Sequence, residues 1–431
     1  MDKVTITKRK GLQGEVTVPG DKSISHRSII LSSIAQGYST IKNFGMGEDN
    51  KKTLMILKKM GVKIEQKNGL LKVHGNGLHS LKEPENVLDA GNSGTTMRLI
   101  SGLLSGQQFF SVITGDRYLR KRPMERIVVP LRTMGAQIQG RGNGEFAPLA
   151  INGINLTAIQ YHSPIASAQV KSAILLAGLY AQGETKVIEP TKSRDHTERM
   201  LSYFDVPLEI KNQEVSVTGR HDFFGRDIEI PGDISSAAFL IVASLLTPQS
   251  SLLIKDVGIN PTRTGIIDVV KNMGGNVRID NTRNLSGEPV GDILVKSSHL
   301  KGITIGGEII PRCIDEIPVI AVAAASAEGE TIIKDARELR VKETDRIKAL
   351  VEELPKFGVC IEEMEDGIRI VGQSQLKVSD TLKSHGDHRM AMALVVAGLT
   401  ANGSTHIEGA SAIHISYPDF LKTLERISRQ T

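Results

Sequence analysis

Basic residues sit at one predicted helix start after another in this sequence, with hydroxyl side chains beside them. The first such place is Pro19-Gly20-Asp21-Lys22-Ser23-Ile24-Ser25-His26-Arg27, followed by an apolar run from Ser28 to Ala35. Asp21, Ser23 and Ser25 are all possible N-caps. A helix starting here brings free backbone N–H groups, a hydroxyl, an ammonium and a guanidinium to one spot, which suits a phosphate or carboxylate. Alone, the segment reads equally well as a capped helix with solvated charges.

The same phrase returns along the chain. Asn92-Ser93-Gly94-Thr95-Thr96 is a glycine-bearing turn able to wrap an oxyanion with backbone N–H groups, while Arg98 reads as structural. Five basic residues lie between Arg117 and Arg126. Most read as a solvated face; Arg122, directly before a proline expected to open a helix, is the best placed to meet a ligand. Ser163, Ser167 and Gln169 offer hydroxyls and an amide, and Ser193-Arg194-Asp195-His196-Thr197 is another capped helix start. The C-terminal half adds acids. Asp315-Glu316 begin a helix, and Arg340-Val341-Lys342-Glu343-Thr344-Asp345-Arg346 alternates in sign, predicting Lys342 and Arg346 on one helical face with Glu343 beside them. Gly386-Asp387-His388-Arg389 closes the series.

Together these residues predict a cleft lined by Lys22, Arg27, Arg122, Arg194, Lys342, Arg346 and Arg389, for substrates carrying several phosphate or carboxylate groups. Asp315 and Glu343 would be carboxylates held among those cations and tuned for proton transfer. No GxxxxGK[ST], GxGxxG after a strand, HExxH or GxSxG is present. The residues alone lead to cofactor-free, metal-free group transfer between small anions.

Composition narrows the classes further. At 431 residues the chain is too long for one ordinary core and predicts two domains. Aromatics are only 4% with no Trp, which argues against a base-stacking nucleic-acid surface. A formal charge of +5 fits small anions better than a polyanion. Cys313 and Cys360 form no disulfide framework and no zinc spacing. The sequence shows no apolar signal region and no membrane-length apolar run, so a cytoplasmic location is expected.

The elements that must carry these residues form a repeat. A polar turn, a small-apolar helix, a Gly- or Pro-marked break and a β-branched strand recur six times, at about 73 residues per unit. The breaks fall at Gly37, Gly106, Gly183, Pro248, Gly329 and Gly403. A second helix closes each unit: Leu57-Lys58-Lys59-Met60-Gly61 returns as Leu131-Arg132-Thr133-Met134-Gly135 and Val270-Lys271-Asn272-Met273-Gly274. Each unit reads strand–helix–strand–helix–strand–strand. The sixth stops after its helix, and the N-terminal strand Val4 to Thr7 could complete it. Pro19-Gly20-Asp21 echoes Pro231-Gly232-Asp233, predicting two crossings between domains: 19–230, and 231–431 with the first 18 residues. Two such crossings would form a two-strand hinge, with ligand between the lobes. Buried parallel helices would converge their positive ends on one surface.

Pro19 to Arg27, Asn92 to Arg98, Arg122-Pro123-Met124, Val341 to Ile347 and Gly386 to Met392 resemble the 5-enolpyruvylshikimate-3-phosphate synthase family, and the similarity runs from Lys22 to Pro418. The resemblance implies an α/β fold of two lobes, each of three βαβαββ units, closing on ligand. It implies transfer of the carboxyvinyl group of phosphoenolpyruvate to the 5-hydroxyl of shikimate 3-phosphate through a tetrahedral ketal, in the shikimate pathway to aromatic amino acids. By motif, Lys22, Ser23, Arg27, Ser167, Gln169, Ser193 and Arg194 would hold shikimate 3-phosphate. Lys22, Gly94, Arg122, Gln169, Arg346 and Arg389 would hold phosphoenolpyruvate. Asp315 would take the hydroxyl proton, and Glu343 with Lys342 would handle the methylene proton; Lys22 would join them as a catalytic residue, and Asp315 and Lys342 would also touch substrate. The 19–230 lobe would thus carry most shikimate 3-phosphate contacts and the other lobe the acid/base residues. A monomer without cofactor, metal, nucleic acid or membrane partner is expected.

Two features set the sequence apart within the resemblance. Many members carry a lysine just before the C-terminal Phe-Pro-Asp phrase, where this chain reads Ile415-Ser416-Tyr417-Pro418-Asp419. The segments 162–172 and 192–199 resemble the divergent bacterial branch, which often tolerates the herbicide glyphosate, sometimes through alanine at the position of Gly94; glycine stands there here. The alternatives are the sister transferase acting on UDP-N-acetylglucosamine, which places a reactive Cys near the position of Arg122, and a non-catalytic small-anion-binding protein.

Overall fold

The computed structural model describes residues 2–373, 375–378 and 380–428. Six helices are buried almost throughout: Lys22–Ile34, Gly94–Ser105, Ala168–Gly178, Ile234–Leu246, Ile317–Ala325 and His388–Gly398. Their Ala, Ser, Gly, Ile and Leu residues leave little polar surface to expose, which fits helices surrounded by protein on all sides. Each is followed by a strand: Gln36–Lys42, Phe110–Thr114, Glu184–Ile188, Ser251–Gly258, Glu330–Ile333 and Ser404–Glu408. The turns before the third and the sixth of these strands use a left-handed residue, Gly183 and Gly403 at φ +100° and +98°. Six closing helices, Glu48–Lys59, Glu125–Thr133, His196–Tyr203, Gly265–Asn272, Arg346–Glu353 and Phe420–Ile427, show one buried face each.

The strands form six small mixed sheets. In the first, Gln36–Lys42 pairs antiparallel with Leu70–Asn76 and parallel with Asp227–Glu229. The last is completed from the other end of the chain, where Lys3–Thr7 pairs antiparallel with Ser404–Glu408. Two pairings depart from a simple serial reading. The strand before the first buried helix, Gln13–Thr17, joins the fourth repeat's sheet beside Ser251–Gly258, while Asp227–Glu229, just before the fourth buried helix, joins the first repeat's sheet. Each strand precedes a Pro-Gly turn and stays paired in the unit that the chain is leaving.

The chain divides into two compact units. One is Gly20–Ile230 with Asn284–Glu288, and the other is Met1–Pro19 with Pro231–Arg283 and Pro289–Thr431. The short segment belongs to the first unit through side-chain bonds: Ser286 Oγ accepts the Glu229 N–H at 2.9 Å, and His196 Nδ1 lies 2.7 Å from Glu288 Oε1. The first unit's core includes Leu31, Leu57, Leu103, Leu131 and Ile174; the second's includes Leu240, Val270, Ile320, Leu350 and Leu394. In the first unit the second and third buried helices run parallel. Arg98 meets Gln169 near their starts, Gly102 faces Ala173 midway, and Gly106 faces Tyr180 at their ends. A Cβ on Gly102 would lie 2.3 Å from the Ala173 carbonyl oxygen, so glycine there sets the helix spacing.

Candidate active site

In the first unit, the polar residues gather where the three buried helices begin. Asp21 caps the first, accepting the Ile24 N–H at 2.9 Å. Lys22 pairs with Asp49 at 3.1 Å, and the Asp49 carbonyl accepts from Thr96 Oγ1 on the second buried helix. Arg27 is buried: Nε donates to Thr197 Oγ1 (2.6 Å), Nη2 to Ser172 Oγ (2.7 Å) and Nη1 to the Ser23 carbonyl (2.9 Å). Burial lowers its pKa to about 10, against the opposing pull of Glu198. His26, buried behind it and 2.8 Å from Thr53 Oγ1, is held well below its ordinary pKa by burial and by Lys22 and Arg27.

Ser93 caps the second buried helix through the Thr96 N–H (3.1 Å), which leaves Gly94 as its first residue. A Cβ at Gly94 would lie 3.1 Å from Arg98 Nη1 and 3.3 Å from Arg122 Nη1, so two guanidinium groups flank the turn. Arg122 also donates to Asn92 Oδ1 at 2.7 Å. Gln169 accepts from Arg98 and donates to Thr95 Oγ1 at 3.0 Å. Ser167 caps the third buried helix. Ser193 donates its N–H to Glu189 Oε2 at 3.3 Å, while its buried hydroxyl has no hydrogen-bond partner among the described residues. Arg194 lies close enough to Arg27 to disfavour that guanidinium's charge. Hydrogen bonds thus run from Lys22 through Asp49 to Thr96, and from Arg98 through Gln169 to Thr95, around the turn at Gly94.

In the second unit the organising group is Arg346, which is fully buried. It donates to Asp387 Oδ2 (2.8 Å) and Glu343 Oε2 (2.7 Å), and pairs with Asp315 Oδ1 at 3.5 Å. Burial alone would lower its pKa; Asp387, Glu343 and Asp315 outweigh that and raise it. Arg389 donates to the Asp315 carbonyl at 3.2 Å and lies 3.6 Å from Asp315 Oδ2. Glu316, also fully buried, accepts from Ser235 Oγ and lies 3.8 Å from Arg263 and 3.9 Å from Arg389. Asp387 caps the last buried helix through the Arg389 and Met390 N–H groups. Lys342 is lowered below 10.5 by burial and by Arg346, against the pull of Asp315. Two carboxylates bracketed by fixed guanidinium groups, with a softened ammonium alongside, can pass protons near a developing charge.

Two local expectations fail. Arg122 does not sit against a helix opened by Pro123: the helix begins at Glu125, and Arg122 ends a short 3₁₀ turn, Leu119–Lys121, in extended conformation. Lys342 and Arg346 do not share a helical face. Asp345 accepts the Lys348 N–H and caps the helix, so it starts at Arg346, and Lys342 lies in extended backbone after the 3₁₀ turn Arg337–Val341. The cap sits inside the charged phrase and stops the helical register there. No local pattern in the sequence points to Asp49 or Arg263, and Glu316 and Asp387 stand out there only as members of helix-start phrases. Asp387 carried a signal, since it occupies the N-cap position of its own motif.

Among the described residues Glu352, Glu353 and His385 offer three ligand atoms within 4.8 Å of one another. The Glu353 carboxylate already receives Lys356 Nζ (2.9 Å), the Lys383 N–H (2.9 Å) and His385 Nε2 (2.8 Å), so protein cations and donors fill it. No helix among the described residues is long and apolar enough to cross a membrane.

The family model for EPSP synthase (3-phosphoshikimate 1-carboxyvinyltransferase) matches residues 6–424. The 3-phosphoshikimate 1-carboxyvinyltransferase of Geotalea daltonii is 56% identical over 419 residues, covering 97% of each chain. That of Geotalea uraniireducens is 56% identical over 427 residues, covering 99% of each. A solved structure of EPSP synthase from Acinetobacter baumannii superposes with a TM-score of 0.89 at 46% identity, covering 99% of this chain and 98% of that one. Nearly the whole chain therefore carries the match, fold and motifs together, and the protein belongs to the EPSP synthase (3-phosphoshikimate 1-carboxyvinyltransferase) family.

Proposed function

We propose that this chain transfers the carboxyvinyl group of phosphoenolpyruvate to the 5-hydroxyl of shikimate 3-phosphate and releases phosphate. The enol methylene takes a proton, the hydroxyl oxygen adds to the resulting cationic carbon and loses its proton, and a tetrahedral ketal forms. Phosphate then leaves as the methyl group returns a proton, which regenerates the vinyl group on the new ether.

In this reading the first unit holds shikimate 3-phosphate through Lys22, Ser23, Arg27, Ser167, Gln169, Ser193 and Arg194. Lys22, Gly94, Arg122, Gln169, Arg346 and Arg389 hold phosphoenolpyruvate. Asp315 takes the hydroxyl proton, and Glu343 with Lys342 serves the methylene carbon. The observation that carries the residue roles is the bracketing of Asp315 and Glu343 by buried Arg346, with Arg389 on Asp315. Such cations are already oriented when charge develops. The chain works as a monomer in the cytoplasm.

Proton NMR of the reaction mixture tests this directly. The vinyl protons of phosphoenolpyruvate should give way to a new vinyl pair on a product that retains the 3-phosphate. Hydrolysis to pyruvate alone, or no change, would defeat the assignment.

A further inference from the structure

We propose that Lys171 is a positioning residue for the shikimate 3-phosphate site: its ammonium bridges Glu189 and Glu198 and so holds the segment carrying Ser193 and Arg194 against the helix start carrying Ser167 and Gln169. The proposal rests on the reading of those four residues given above.

Lys171 lies one turn into the third buried helix, its N–H bonded to the Ser167 carbonyl at 3.0 Å. Its Nζ is 2.7 Å from Glu189 Oε2 and 2.7 Å from Glu198 Oε1, and none of the three side chains is more than 4% exposed. Glu189 directly follows the strand Glu184–Ile188, and Glu198 lies in the first turn of the helix His196–Tyr203. The two carboxylates therefore bracket the stretch from 189 to 198 at both ends. Glu189 Oε2 also accepts the Ser193 N–H, so the ion cluster reaches the ligand loop directly. The Ser193 hydroxyl, buried and without a protein partner among the described residues, is a donor reserved for something else.

The six repeats supply an internal control. Counted from the N-cap, the fourth residue is Ser25, Met97, Ala237, Ile320 and Ala391 in the other five buried helices. The third alone places a charge there; four of the others carry an apolar side chain and the first carries Ser25. Burying three ions is a poor route to stability, and the arrangement leaves Glu189 Oε1 and Glu198 Oε2 without hydrogen-bond partners among the described residues. Its benefit is geometry. The neighbouring Ser172 continues the seam, bonding Thr197 at 2.6 Å while Arg27 donates to both. Lys171 thus fixes the same two helix starts that Arg27 joins, from the protein side.

The test is steady-state kinetics on the full chain, with each substrate varied against saturation of the other. Wild-type turnover with shikimate 3-phosphate is measured first; its absence overturns the functional reading and this proposal with it. Given turnover, Lys171→Met should raise KM for shikimate 3-phosphate roughly ten- to hundredfold, the scale expected for a small misplacement of binding groups, with a much smaller rise in KM for phosphoenolpyruvate, which meets only Gln169 of these four residues. Lys171→Arg, which keeps the charge, should recover most of the loss. If Lys171→Met does not fold, Glu189→Gln, which removes one charge and keeps an acceptor for the Ser193 N–H, should show a smaller rise confined to the same substrate. A folded Lys171→Met or Glu189→Gln with unchanged KM for shikimate 3-phosphate, or with both KM values raised equally, would overturn the proposal while leaving the function standing.

Discussion

Asp315 stands between two arginines, and the base role proposed for it makes a sharp demand on substitution. Asp315→Asn keeps the shape and removes the proton acceptor, so kcat should fall by roughly 10²–10⁴-fold, while shikimate 3-phosphate, assigned to other residues, should bind with nearly its original Kd by calorimetry. A loss of affinity in step with the loss of rate would make Asp315 a binding group instead. Lys342 adds a pH dependence. Burial and Arg346 lower its pKa, so it gives up its proton below 10.5, and the alkaline fall in kcat/KM should begin lower than an ordinary lysine would place it. Lys342→Arg should move that limb upward; an unchanged profile would take Lys342 out of the proton path. The chemistry-bearing residue types were legible in the sequence because basic side chains kept recurring at helix starts. Their partners were not. Glu189 and Glu198 lie 18 and 27 positions from Lys171, and no local pattern joins them.

At the scale of elements, the helices and their order could be read because a glycine or proline break follows each small-apolar run, with glycine in a left-handed turn at Gly183 and Gly403. The exchange of Gln13–Thr17 and Asp227–Glu229 between the first and fourth sheets was hidden, since alternating side chains declare a strand and say nothing of its partner. The start at Arg346 was hidden by the charge alternation around it, which matches a helical salt-bridge pattern on both sides of the cap. Packing makes its own prediction. Gly102→Ala would press a methyl group into the Ala173 carbonyl, and the two parallel helices would have to separate. The expected cost is about 1–3 kcal/mol, seen as a lowered Tm. An unchanged Tm would mean that the helices part freely, and close spacing would no longer explain the glycine.

Over the whole molecule the same device is used twice. Each compact unit gathers charged groups at helix starts, the first mainly cations and hydroxyls, the second carboxylates held among arginines. Six repeats of one supersecondary unit thus yield two units with unlike polar clusters. The most direct check is phosphate release from phosphoenolpyruvate by the purified chain, with no metal added, in the presence of shikimate 3-phosphate, of UDP-N-acetylglucosamine, or of neither. Release with shikimate 3-phosphate alone is the predicted result. Release only with the nucleotide sugar, or none with either acceptor, would contradict it.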